Sequence, residues 1–168
     1  SIQKCNIHAI DLIENGVESL HFTLPTDEIS LEKLLKNIDT SKIPIYFEPL
    51  FISKKLALTL NTYTVNHNAS FYILNDPIGH LARSGNWHKN LTSDLDHLKQ
   101  ILVTGPDLKS VLSVDLGLFQ NAGGSMIQQL AYTLAHANEY LNLVNEKSLK
   151  SIVFKVSVGG NYFFEIAI

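Results

Sequence analysis

Hydrophobic and polar positions along the chain switch repeatedly between two periods. Ile7–Gly16 (IHAIDLIENG) has helical spacing and ends on a glycine, the usual C-terminal cap. Val17–Pro25 (VESLHFTLP) reads as a strand stopped by proline. Thr26–Asp39 reads as an amphipathic helix, with Ile29, Leu31, Leu34 and Leu35 towards the core and acids in its first turn. A strand follows in IPIYFEPLF and a helix in ISKKLALTLNTY. ASFYILNDPIGH is a strand that breaks at Asp76-Pro77, and SDLDHLKQILVTG is a helix with Ser93 at its N-cap. KSVLSVDLGLF is the next strand, and Ser125–Val144 a long helix. On that helix Ile127, Leu130, Ala131, Leu134, Ala135, Asn138 and Leu141 share one side, flat enough at its alanines to pack on a sheet. A strand, SIVFKVSVGG, and a helix start, YFFEIAI, close the sequence.

Strands this apolar have no face reserved for water, and helices separate them. The pattern predicts an α/β fold in which helices cover a parallel sheet of about five strand-helix units. A doubly wound open sheet and part of an eight-unit barrel both fit. A complete barrel takes about 250 residues, and this chain has 168, with no linker or low-complexity tract. A single domain, cut from a larger barrel, is the expectation. The terminal strands of such a piece would be open edges, which favours self-association or a partner.

Composition narrows the function classes. The chain is 45% hydrophobic and 17% charged, with a net charge of −3. That suits a folded globular domain and gives no basic surface for nucleic acid or anionic membrane. No apolar run approaches a membrane span, and the first residues lack a signal-peptide core. The lone Cys5 makes no internal disulfide, no cysteine metal site and, with no base beside it, no nucleophile. A reducing, cytoplasmic setting follows.

Candidate chemistry gathers at the strand ends, where parallel α/β folds place ligands. Glu48, Asp76 and Asp115 all lie there. They form an acid-base pair if they converge, or cap helices and bond loop amides if they do not. Asp115–Asn121 leads into the turn at Gly123 and Gly124, and Ser125 can cap the helix that follows. That turn is either an anion cradle at a helix N-terminus or a plain tight connection, since no Gly-x-Gly-x-x-Gly or Gly-Lys-Ser/Thr pattern is present. The seven histidines show no metal spacing. His21 reads as a hydrogen-bonded core or rim residue. Trp87, the one tryptophan, sits in a polar loop, where it anchors an interface or covers the barrel mouth.

Several segments resemble the methylmalonyl-CoA mutase family. NAGGSMIQQLAYTLAHANEYL is similar to that family's strand, Ala-Gly-Ala turn and helix, and FKVSVGGNYFFEIA to its next strand and helix start. NDPIGHLARSG and AIDLIENGVESLHFTLP resemble segments of its small, or beta, subunit. The resemblance implies a (βα)8 TIM-type barrel and an adenosylcobalamin-dependent isomerase that interconverts (R)-methylmalonyl-CoA and succinyl-CoA. It further implies a heterodimer in which the large, alpha subunit carries the catalysis and the small subunit has no active site of its own.

At the decisive positions the sequence departs from the catalytic pattern. The family's catalytic subunit has a Tyr-His pair that contacts the substrate thioester. Counted back from Ala122 and Gly123, the pair falls on Gly117 and Leu118, whose side chains donate no hydrogen bond. No catalytic residue is therefore expected, and Glu48, Asp76, Asp115 and Asn121 remain only weak substrate-binding candidates. The strands carry bulk on both faces, Ile43, Ile45 and Phe47 against Tyr46 and Glu48, and Phe71 and Ile73 against Tyr72 and Leu74. Either set fills a barrel interior. The cobalamin-ligand motif Asp-x-His-x-x-Gly has only a lookalike, LDHLKQ around His97, so no cofactor or metal is expected on this chain. Two alternatives stay open: an isomerase barrel with relocated substrate contacts, and an unrelated phosphate-binding α/β domain built on Gly123, Gly124 and Ser125.

Overall fold

The computed structural model describes residues 1–143 and 151–157. The expected helix start YFFEIAI and the end of the last strand's segment lie outside the described residues. In chain order the elements are α1 (Ile2–Glu14), β1 (Leu20–Leu24), α2 (Leu31–Leu34), β2 (Ile45–Pro49), α3 (Lys54–His67), β3 (Phe71–Ile73), α4 (Pro77–Ser84), α5 (Leu91–Thr104), β4 (Ser113–Asp115), α6 (Gly117–Asn121), α7 (Met126–Leu143) and β5 (Val153–Lys155). Among the described residues no helix is long and apolar enough to cross a membrane.

All the pairings are parallel and follow chain order. β1 pairs β2, β2 pairs β3, and β4 pairs β5. A parallel bridge between Tyr72 and Ser110 joins the two sheets, supported by Ile73 N–H to Ser110 C=O at 2.8 Å and Ser113 N–H to Asn75 C=O at 2.9 Å. A doubly wound sheet reverses its strand order; among the described residues the strands do not. It also curls. Glu48 on β2 and Lys155 on β5 stand three strand spacings apart, about 14 Å on a flat sheet. Yet Lys155 Nζ donates to Glu48 Oε1 at 2.6 Å. The chain is thus α/β, arranged as part of a barrel.

Register assigns the two faces. Leu20, Ile45 and Phe71 share a row, as do Phe22, Phe47 and Ile73. These side chains pack with Leu56, Ala57 and Leu60 of α3 and Leu98, Ile101 and Leu102 of α5 in one core. Ile45, Phe47 and Phe71 are fully buried, and Phe71 meets Phe47 edge-on at 5.1 Å and stacks on Tyr63 of α3 at 5.5 Å. The helix-facing set is therefore the aliphatic and phenylalanine set. His21, Tyr46, Glu48 and Tyr72 face the concave side, where Tyr46 and Tyr72 stack at 4.6 Å.

Five details differ from the pattern reading, each with its own physical reason. The helix expected over Thr26–Asp39 is one turn: Thr26 Oγ1 accepts from Glu28 N–H, Asp27 accepts from Ser53 at the start of α3, and Asn37 turns left-handed at φ 63°. Asp76-Pro77 does not merely end a strand. It opens α4, with Asp76 as N-cap and proline at the first position. Asn90 caps α5, accepting from Ser93 N–H at 2.8 Å, so Ser93 lies inside the helix. The strand read through Phe119 ends at Asp115, and Gly117 and Leu118 begin α6. Finally, α7 buries Thr133, His136, Ala137 and Tyr140 instead of its apolar stripe, leaving Ile127 81%, Leu134 62% and Leu130 46% exposed. A polar anchor set that rotation.

Candidate functional site

A cavity of about 320 Å³ opens at the carboxyl ends of β2–β5, the end where parallel α/β folds bind ligands. Glu48, Asn75, Asp76, His80, Arg83, His88, Ser113, Asp115 and Lys155 line it. The concave strand positions deliver Glu48, Asp115 and Lys155, while α4 brings His80 from its first turn and Arg83 from its last.

These charges satisfy one another. Lys155 Nζ lies 2.6 Å from Glu48 Oε1 and 3.8 Å from Asp115 Oδ2. Glu48 Oε2 meets His21 Nε2 at 2.9 Å, and Asp115 Oδ2 meets Arg83 at 3.4 Å. The chain Arg83–Asp115–Lys155–Glu48–His21 thus spans the strand tops from α4 to β1. Glu48 and Asp115 converge on a shared lysine, not on each other. Asp115 Oδ1 also accepts from Gly117 N–H at 2.9 Å. The third strand-end carboxylate, Asp76, turns away: its Oδ1 accepts from Gly79 N–H at 2.9 Å and from the Tyr140 hydroxyl at 2.7 Å. Asn121 ends α6, exposed and outside the cavity, and Trp87, half-buried in the α4–α5 loop, does not line it.

Electrostatics follow the same division. Burial works to raise the pKa of Asp76, but His136, Tyr140 and the Gly79 amide outweigh it, and the net shift is downward from the usual carboxylate value. The Tyr140 phenol is pushed upward by burial and by Asp76. At the cavity mouth His80 and His88 stack with ring centroids 3.8 Å apart. Burial, then the neighbouring His80, lowers the His88 pKa, with Asp94 opposing. With Asp76 turned away, Glu48 and Asp115 are matched by Lys155 and Arg83, so the charges of the lining balance.

The glycine turn is likewise occupied by its own contacts. Gly123 N–H donates to Gln120 C=O and Gly124 N–H to Phe119 C=O, each at 2.9 Å. Ser125 N–H donates to Gln128 Oε1 at 2.9 Å while Ser125 Oγ accepts from Gln128 N–H at 3.4 Å, a reciprocal cap. All three amides of the suspected anion cradle are engaged. Gly123 needs its glycine for φ 81°; Gly124 needs it because a Cβ would sit 2.9 Å from the Phe119 carbonyl oxygen. Gly117 is packed even more closely: a Cβ there would lie 2.8 Å from Ser157 Oγ and 3.0 Å from Asp115 Oδ1.

The model of the family described as methylmalonyl-CoA mutase matches residues 27–168. The chain belongs to the methylmalonyl-CoA mutase family. Two relatives are named as small subunits of that enzyme. The one from Porphyromonas gingivalis is 26% identical and aligns with 99% of this chain and 29% of its own length. The one from Streptomyces virginiae is 27% identical and aligns with 92% of this chain and 27% of its own. The chain therefore spans less than a third of the relatives it matches. Within the mutase frame, sequence reasoning found Glu48, Asp76 and Asp115 but missed Arg83, Lys155, His136 and Tyr140. Lys155 carried a signal, a lone charge inside the strand VFKV; His136 and Tyr140 stand at helical spacing (i, i+4) opposite no obvious partner in sequence.

Lys155 and Glu48 keep 29% and 26% side-chain exposure, so solvent screens their attraction. Lys155→Met should change the unfolding free energy by about 1 kcal/mol or less, measured by urea denaturation. A loss well above that would mean the strand-top chain of charges holds the fold together.

Proposed function

We propose that this chain forms part of the barrel of a methylmalonyl-CoA mutase small subunit. The complete enzyme is a cytoplasmic heterodimer with a catalytic large subunit. It is the adenosylcobalamin-dependent isomerase that interconverts (R)-methylmalonyl-CoA and succinyl-CoA, and this chain supports it structurally. The observation that carries the reading is the closure of the strand tops by the protein's own charges. Lys155 and Glu48 join across the concave side, where a ligand threaded along a barrel axis would pass.

Gly117 and Leu118 support the same reading. By the resemblance, they fall where the family's catalytic subunit carries a Tyr-His pair. Leu118 has no polar atom to offer a thioester carbonyl. At Gly117 a Cβ would lie 2.8 Å from Ser157 Oγ and 3.0 Å from Asp115 Oδ1, so a tyrosine there would require these side chains to shift.

The reading places cobalamin outside this chain, and the state of the one lookalike ligand supports it. The lookalike ligand, His97, is exposed on α5 with Nδ1 2.7 Å from the Ser93 carbonyl oxygen of its own helix. We assign cobalamin binding, like substrate binding, to other parts of the assembly.

Co-expression of the complete small subunit with its large subunit tests the reading. The two should co-purify, and Leu118→His should leave mutase activity within about twofold of the parent, an effect on the barrier of a few tenths of a kcal/mol. Failure to co-purify, or an activity change of tenfold or more on Leu118→His in a complex that still assembles, would overturn it.

A further inference from the structure

We infer that α7 is attached through a single polar latch centred on Asp76, and that it detaches as a unit when the latch is broken. The seating of α7 differs in kind from that of its neighbours. α3 and α5 each place three aliphatic or alanine side chains in the core, Leu56, Ala57 and Leu60, and Leu98, Ile101 and Leu102. Of its buried residues α7 places there Ala137 and Tyr140, with Leu143 partly buried against them, and its other buried residues are Thr133 and His136. Its apolar stripe, exposed by 46–81% at Ile127, Leu130, Leu134 and Leu141, contributes little burial.

Beside this apolar contact and a stack of Tyr132 on Phe119 at 5.1 Å, the polar attachment of the helix centres on one carboxylate oxygen. Asp76 Oδ1 accepts from the Tyr140 hydroxyl at 2.7 Å and from Gly79 N–H at 2.9 Å, and His136 Nε2 stands 2.9 Å away. Tyr140 in turn accepts from Ile78 N–H at 3.1 Å. Helix α7 thereby caps α4, and α4 anchors α7. The side chains of Asp76 and His136 are 6% and 5% exposed, so water does not substitute for a lost partner.

The latch is also incompletely satisfied. Asp76 Oδ2 and Thr133 Oγ1 are buried without a hydrogen-bond partner. His136 Nε2 approaches Oδ1 closely but is too poorly aligned to count as a hydrogen bond. Buried polar groups left this way lower the local free energy of opening.

The groups facing Asp76 are His136 and Tyr140 from α7 and the amides of Ile78 and Gly79 from α4. Arg83 acts on Tyr140, and Glu48, His80, His88, Asp115 and Lys155 lie around the adjoining cavity. Burial opposes the Asp76 charge, but its partners prevail and hold its pKa below the ordinary value of 3.8. The sign follows: a depressed folded-state value gives a latch that is whole above the ordinary carboxylate range and lost as pH falls through the lower folded value.

Native-state hydrogen exchange on the full chain tests the latch. Tyr140→Phe should reduce protection of α7 amides by about 10-fold or more while those of α3 and α5 change by less than about threefold. In the unaltered protein, with intrinsic exchange rates corrected, α7 protection should hold down to about pH 4 and then fall between about pH 4 and about pH 2, before that of α3 and α5. In Asp76→Asn it should be low at both pH values. Equal losses in α3, α5 and α7 would overturn the latch, as would unchanged α7 protection in Tyr140→Phe. The acid series on the unaltered protein decides the matter even where a variant does not fold.

Discussion

Phe47→Ala should lower the free energy of unfolding by about 3–5 kcal/mol. Phe47 is fully buried at the centre of the helix-facing row. It touches Phe22 on one side with centroids 5.9 Å apart and Phe71 on the other at 5.1 Å. Neighbouring strands fix the backbone on both sides, so the site cannot collapse to fill the space left by the ring. Transfer and cavity costs therefore add. Denaturant unfolding read by circular dichroism measures the change. A loss below about 1.5 kcal/mol, the range of a tolerated volume-conserving swap, would mean that the outer row is not the core.

Asp76→Ala should cost about 2–4 kcal/mol at neutral pH. Loss of the N-cap of α4 accounts for about 1 kcal/mol, and leaving the buried Tyr140 hydroxyl without its acceptor for about 1–3 kcal/mol. Because the folded-state pKa of Asp76 is depressed, its charge stabilises the fold at pH values above the ordinary carboxylate value of 3.8. That contribution fades as pH falls through the lower folded value. The difference between the parent and Asp76→Ala should accordingly be largest near neutrality and shrink in acid. A difference that grows on acidification would show that the carboxylate is strained in the folded state.

Much of the architecture was legible in the alternation of apolar runs. Local chemistry wrote the elements that matched: Gly16 after α1, Pro25 after β1, and Ser125 before α7. The larger misses depend on partners distant in sequence. The face that α7 buries is settled by Asp76, 60 or more positions earlier (64 from Tyr140), and no helical period can report that. The helix over Thr26–Asp39 shrinks because Asp27 is taken by Ser53. At the strand tops, the sequence showed carboxylates at Glu48, Asp76 and Asp115 but not their partners. Lys155 reaches Glu48 across 107 positions, a contact created only by the curl of the sheet. The acid-base pairing that spacing left open therefore resolves into a lysine-bridged pair and a helix cap.

Equilibrium binding of methylmalonyl-CoA to the purified chain, followed by isothermal titration calorimetry, addresses the supporting role most directly. With the strand tops closed by Lys155 and Glu48, no saturable binding should appear up to about 1 mM ligand, a free energy near −4 kcal/mol. Saturable binding at micromolar ligand, with Lys155→Met altering the affinity, would place the substrate in that cavity and contradict a chain whose contribution to the mutase is structural.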